Sequence, residues 1–188
     1  MTTAGKMDLA GGGFFVLVDL LEEAKAGAPE AVPSPLDARF GEIAHAYRKA
    51  DPALRYQVRE QIPQEYWLPL LHLGDRCAEW ALVDKDAKHI EDGLTAYCLE
   101  DCRFDTHENL VHLSRLWHAG KTLHLDIGAL FNQVGQCGSP KGLQELSNFA
   151  ARPDDAKSPW SMGLESYQEG GHLHFRPRHP KGPPSPVK

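Results

Sequence analysis

From Asp37 to Arg152 the chain repeats one pattern that constrains its fold. Apolar residues recur at helical spacing, each segment opens at a proline, aspartate or serine, and a short polar break precedes the next. Side chains three and four residues apart lie on one helical face. Asp51-Pro52 and Ser139-Pro140 are typical helix starts, because proline is tolerated in the first turn. The pattern predicts a mainly α-helical domain of short helices.

Short helices with brief connections favour antiparallel neighbours, and therefore stacked helical hairpins. In its helix lengths and helix-starting residues, the segment from Asp37 to Arg152 resembles the HEAT-like and armadillo-like helical-repeat proteins. No residue signature recurs at a fixed period. The resemblance implies a HEAT-like array and favours a role in protein binding.

The chain divides into three regions by composition. Residues 1–36 are expected to hold a mobile N-terminus, one apolar helix over Phe14–Lys25 and a Pro/Ala/Gly linker. Residues 37–176 are expected to form a single helical domain that ends in a small β-hairpin, since alternating segments flank Glu169-Gly170-Gly171. Residues 177–188 are Pro-rich and basic, and are predicted to be disordered.

Composition excludes several classes of protein. The chain has 188 residues, 41% of them hydrophobic, which is typical of a globular domain. Its net charge of −6 argues against general nucleic-acid binding, which needs a cationic surface. The apolar run Phe14–Val18 ends at Asp19, so neither a membrane span nor a secretory leader is expected. The four cysteines have no disulfide spacing, which favours reduced thiols and a cytoplasmic location.

Charge is concentrated in one segment. Residues 84–108 contain eight acids and three bases, whereas residues 172–188 contain four bases and no acid. We interpret residues 84–108 as an acidic surface that binds a protein with a basic surface, and an immunity-type antagonist of a toxin would have this composition. A solvated helical face and a solubilising tail are the alternative. The predicted contact residues are Glu91, Asp92, Glu100, Asp101, Asp105 and Glu108.

Catalytic and metal-binding patterns are weak. Cys98 and Cys102 are four residues apart, and His107 follows a turn, but this spacing is unlike that of a zinc finger. His172 and His174 share one face of a predicted strand. Core cysteines and a polar strand face explain these residues, so no cofactor or metal is predicted. A metal-dependent enzyme or regulator that uses either set is the alternative.

No placement of serine, cysteine and histidine supports a catalytic triad, so a non-enzymatic protein is favoured, with enzymatic activity left open. The oligomeric state does not follow from the sequence. The helical faces do predict core residues. We expect the following residues to be buried: Trp80, Leu94, Leu113, Leu116, Leu130 and Phe131.

Overall fold

The computed structural model describes residues 9–10, 12–26, 32–104, 106–151, 164–169 and 172–177. This part of the chain is mainly α-helical, as the sequence predicts. Its eight α-helices are α1 (Gly12–Ala26), α2 (Pro35–Lys49), α3 (Pro52–Gln61), α4 (Trp67–Asp84), α5 (Ala87–Glu100), α6 (Thr106–Thr122), α7 (Ile127–Gly135) and α8 (Pro140–Ala151). A 3-10 turn, Gln64–Tyr66, precedes α4, and two strands follow α8, β1 (Leu164–Glu169) and β2 (His172–Pro177).

The helix starts follow from side-chain caps. Asp51 and Asp126 each accept a hydrogen bond from the backbone N–H of the third residue of their helix, at 2.9 and 3.1 Å. Helix α2 begins at Pro35, two residues before the predicted start at Asp37. Ser34 is its N-cap and forms a reciprocal capping box with Asp37, so Asp37 lies inside the first turn.

Helices α4 and α5 occupy the centre of the packing. Helix α4 contacts α1, α2, α5 and α6, and α5 also contacts α2, α3, α6 and α7. Gly93 allows α4 and α5 to approach closely, because a Cβ atom there would lie 3.1 Å from the Gly74 carbonyl oxygen and 2.4 Å from Leu116 Cδ2. These contacts build one apolar cluster that includes residues of α1. The apolar N-terminal helix is therefore part of the same core.

Most of the predicted core is confirmed. Leu94, Leu113, Leu116 and Phe131 are all at most 1% exposed. The prediction is wrong for Trp80 and Leu130, which are only half-buried. Trp80 on α4 stacks on His89 near the start of α5, and Leu130 packs against the core while remaining partly exposed.

Strands β1 and β2 pair antiparallel, with Glu169 opposite His172. Their side chains lie outside the described residues, so the packing of Tyr167, Leu173 and Phe175 onto the helices stays a prediction. Residues 178–188 of the predicted disordered tail also lie outside them. No helix in the described ranges combines the length and apolar composition needed to cross a membrane.

Candidate functional site

The acidic segment 84–108 does not form a continuous exposed surface. Asp92 is 1% exposed, and its carboxylate lies 2.9 Å from the guanidinium of Arg48 on α2. Arg48 also donates a hydrogen bond of 2.7 Å to Thr95. Burial raises the pKa of Asp92, and the Arg48 charge opposes this rise. The predicted exposed position of Asp92 is wrong, because its carboxylate joins α5 to α2.

Glu100 is also internal. It is fully buried, and its carboxylate accepts backbone N–H hydrogen bonds from Cys102, Arg103 and Phe104, the first two at 2.9 and 2.8 Å. Burial raises the pKa of Glu100, while these hydrogen bonds lower it. The predicted exposed position of Glu100 is therefore wrong as well. Its carboxylate closes the loop after α5, where the backbone at Asp101 and Cys102 is left-handed, with φ values of 62° and 55°.

Asp101 joins this loop to the connection between α7 and α8. It is 9% exposed, and its Oδ1 accepts a hydrogen bond of 3.2 Å from the Ser139 N–H. Its Oδ2 lies 3.9 Å from Arg59 Nε and 3.8 Å from Arg103 Nη2. The predicted exposed position is wrong here too, because the carboxylate is enclosed by two arginines and a backbone amide.

The remaining predicted contact residues are more accessible. The Glu91 side chain is 34% exposed and lies 3.7 Å from Arg48. The Glu108 side chain is 45% exposed and lies 3.6 Å from His112 Nε2. Asp105 lies outside the described residues. At the other end of the segment, Asp84 and Asp86 are exposed. Among the described residues of 84–108, the accessible carboxylates are thus those of Asp84, Asp86, Glu91 and Glu108.

The cysteines are free thiols held by internal contacts. Cys98 Sγ lies 3.5 Å from the Val134 carbonyl oxygen, and Cys102 Sγ lies 2.8 Å from the Tyr97 hydroxyl. Burial raises the pKa of Cys98 strongly and that of Cys102 to about 11. Both thiols are therefore protonated near neutral pH. The side chains of His107, His172 and His174, the other metal-ligand candidates, lie outside the described residues.

A carboxylate–imidazole pair that the sequence did not reveal joins α4 to α6. Asp75 Oδ1 lies 2.6 Å from His112 Nδ1, and Asp75 Oδ2 contacts Arg115. Burial alone would raise the pKa of Asp75, but the neighbouring His112 and Arg115 charges outweigh it and hold this pKa below its usual range. The pair orients the imidazole as in a catalytic dyad, yet His112 is 4% exposed and its Nε2 is buried. The arrangement is suited to joining two helices rather than to catalysis.

The most exposed large apolar side chain in the described ranges is Phe15 on α1, at 71%. It stands at a groove of about 220 Å³ between α1 and α3. Phe14, Leu54 and Val58 supply apolar walls, and Gln57 contributes an amide. We name this feature the α1–α3 groove. None of the described residues that line it has a titratable side chain, so these residues offer a binding surface rather than acid–base chemistry.

Comparisons of this chain with protein-family models, curated proteins and solved structures give no match. In the part of the chain that the structure describes, the α1–α3 groove exposes apolar surface. Most of the predicted acidic contact residues in this part, in contrast, are buried and form hydrogen bonds or ion pairs within the fold.

Proposed function

We propose that this protein is a non-enzymatic helical protein that binds another protein, and that the α1–α3 groove is the main contact. The exposure of Phe15 beside an apolar groove carries this proposal. Exposed apolar patches on water-soluble domains commonly mark interaction sites, since leaving such surface in water is unfavourable. Aromatic side chains also contribute disproportionately to binding energy at protein interfaces.

An acidic side chain on the same helix as Phe15 indicates the chemistry of the partner. Asp19 lies one helical turn after Phe15 on α1, is exposed, and has no ion-pair partner within the described residues. Glu22 and Glu23 are exposed as well, but they already contact Tyr66 and Arg39, so Asp19 is the acidic side chain of this group that is open to a partner. The groove therefore suits an amphipathic segment of another protein that inserts an apolar anchor and carries a basic residue about one turn away. Gln57 can satisfy a polar group of that segment.

This proposal keeps the basic partner that the charge pattern predicts, but assigns it fewer contacts within residues 84–108. Glu91 and Glu108 are the predicted contact residues there with accessible carboxylates. They can steer association without forming the central contact, because exposed charges act mainly on the association rate. An immunity-type antagonist of a basic protein is one identity that such a binding mode serves. The free thiols are consistent with a cytoplasmic setting.

We also infer that the helices stack in HEAT-like hairpins and that the C-terminal strands form a small β-hairpin. Consecutive helices α4 and α5 pack together, as do α7 and α8, and this supports hairpin pairing. In such arrays, the surface helices carry the binding residues while the inner faces form the core. Helix α1 has this division, with Leu17 and Leu21 fully buried and Phe15 exposed.

Site-specific photo-crosslinking in the native cell tests the groove directly. A benzophenone amino acid replaces Phe15 in one variant and Val83, which is 52% exposed on α4, in the matched control. The proposal expects one dominant crosslinked protein from position 15 that position 83 does not give.

That protein is then purified and its affinity measured by calorimetry. Phe15→Asp should weaken binding by at least about tenfold, because a central aromatic contact is typically worth about 2 kcal/mol or more. Val83→Asp should leave binding unchanged. Equal affinity of the Phe15→Asp variant and the wild type would reject the groove as the contact. If Glu91→Lys with Glu108→Lys then abolished binding instead, the contact would move to residues 84–108.

A further inference from the structure

The turn between α4 and α5 brings two carboxylates together. Asp84 is the last residue of α4, and Asp86 is the N-cap of α5. Lys85 between them has a left-handed backbone with φ of 57°, which makes the turn tight. Asp86 Oδ1 accepts a hydrogen bond of 2.9 Å from the Lys88 N–H, and its other oxygen has no hydrogen bond within the described residues. Both aspartates are exposed, so their carboxylates have room to adjust.

His89 supplies a third donor from the first turn of α5. Its side chain is only 6% exposed, and its Nε2 lies 2.9 Å from Asp84 Oδ2. The ring stacks on Trp80, with 3.7 Å between the centroids and 21° between the planes. The buried Nδ1 has no hydrogen-bond partner. The imidazole is therefore fixed in place and directed towards the aspartates, while part of its hydrogen-bonding capacity is unused. A metal ion bound at Nε2 would leave Nδ1 unsatisfied, so the fixed orientation of Nε2, and not the unsatisfied Nδ1, supports a metal site here.

The three side chains have the spacing of a metal site. One ligand atom from each of Asp84, Asp86 and His89 lies within 4.8 Å of the others, and no further set of three such residues occurs in the described part of the chain. Ligands of one metal ion stand about 2.0–2.2 Å from it, so the exposed carboxylates need to move only slightly to converge.

We propose that Asp84, Asp86 and His89 bind a divalent first-row transition metal ion, with water in the remaining coordination positions. Imidazole together with carboxylates suits Zn²⁺ or Mn²⁺, whereas Mg²⁺ and Ca²⁺ prefer oxygen ligands alone. The ion bridges the end of α4 to the start of α5 and offsets the repulsion between the two carboxylates. This site is separate from the α1–α3 groove and does not depend on the proposed function.

The test uses the full chain, freed of metal with a chelator and titrated with Zn²⁺ by calorimetry. The double variant Asp84→Asn with Asp86→Asn removes both charges and preserves the fold, because asparagine caps helices as well as aspartate does. The matched control is Asp19→Asn with Asp51→Asn, which replaces an exposed aspartate and another N-cap. We expect saturable binding of one Zn²⁺ per chain, weakened at least about tenfold in the double variant and unchanged in the control.

A second readout places the ion. Ni²⁺ bound at His89 should quench the fluorescence of the stacked Trp80, and the quenching should disappear in the Trp80→Phe variant. The proposal is overturned by the absence of saturable Zn²⁺ binding, by equal Zn²⁺ affinity in the double variant, or by quenching that persists without Trp80. Loss of Zn²⁺ binding on His172→Ala with His174→Ala, while the double variant still binds, would overturn it by assigning the ion to the C-terminal strands.

Discussion

Asp92 and Arg48 form an ion pair 2.9 Å long across the interface between α5 and α2, with side chains 2% and 12% exposed. Asp92 lies within the most acidic segment of the sequence, yet its carboxylate is buried and pairs with an arginine inside the protein. Two charges removed from water are tolerated only when they compensate each other. The pair therefore makes the packing of α2 against α5 sensitive to either residue.

Asp92→Ala should lower the free energy of unfolding by about 3 kcal/mol, because it leaves Arg48 nearly buried without its main counter-charge. Urea denaturation of the purified chain measures this change. Glu91→Ala, which removes an adjacent and more exposed carboxylate, is the matched control and should change stability by less than about 0.5 kcal/mol. Equal losses in the two variants would contradict the internal role of Asp92.

Gly93→Ala should destabilise the protein by about 1–3 kcal/mol through overpacking between α4 and α5. The added Cβ would lie 2.4 Å from Leu116 Cδ2 and 3.1 Å from a backbone oxygen of α4. Alanine ordinarily favours a helix over glycine by about 1 kcal/mol, so the sign depends on packing. Gly128→Ala on α7, where the nearest side-chain atom is 3.9 Å away, should stabilise the protein. Thermal melting of both variants checks the contrast, and a rise in Tm for Gly93→Ala would refute the close approach.

The Asp75 carboxylate should contribute to stability in a pH-dependent way. Its pKa in the folded state is held below the value of 3.8 for the free side chain, so the folded protein favours the ionised form. The contribution is fully present above pH 3.8 and is lost as the pH falls through the lowered pKa. Asp75→Asn should thus be less stable than the wild type near neutral pH, and this difference should shrink below pH 3.8. Denaturation curves at several pH values measure it, and parallel profiles would show that Asp75 makes no such contribution.

The thiols should react slowly with a disulfide reagent at neutral pH in the native protein. Burial raises the pKa of Cys77, Cys98 and Cys102 and blocks access to them. Cys102, which is only half-buried, should react before Cys98. In denaturant all four cysteines should react rapidly, which gives the control. Rapid labelling of Cys98 in the folded protein would show that the core around it opens.

The local features of this fold could be predicted from short stretches of sequence. Asp51 and Ser139 cap their helices as expected, because an N-cap needs only a side-chain oxygen three residues before a free backbone N–H. The predicted start of α2 at Asp37 is two residues late, because Ser34 is the N-cap and Asp37 bonds back to it from within the first turn. Periodicity also identified buried residues such as Leu94 and Phe131.

The position of the acidic side chains could not be predicted in the same way. Asp92, Glu100 and Asp101 have polar side chains on a helix or at its end, and the sequence alone favours exposure for such residues. Arg48, Arg59 and Ser139, which contact Asp92 and Asp101, are 38 to 44 residues away from them along the chain. The local partners are Arg103, which lies near Asp101, and the backbone N–H groups that donate to Glu100. No local sequence pattern predicts an ion-pair or hydrogen-bond partner so far away along the chain.

The sequence by itself determined where the helices form and which side of each is apolar, because those properties depend on caps and on neighbours three or four residues away. Only the tertiary structure decided which charges remain on the surface. Packing α5 between α2, α6 and α7 buried carboxylates beside arginines from distant segments. The tertiary structure also leaves Phe15 exposed beside the α1–α3 groove and places His89 close to Asp84 and Asp86. The physical reason is that burial is a property of the assembled helices, whereas helix formation is a property of each segment.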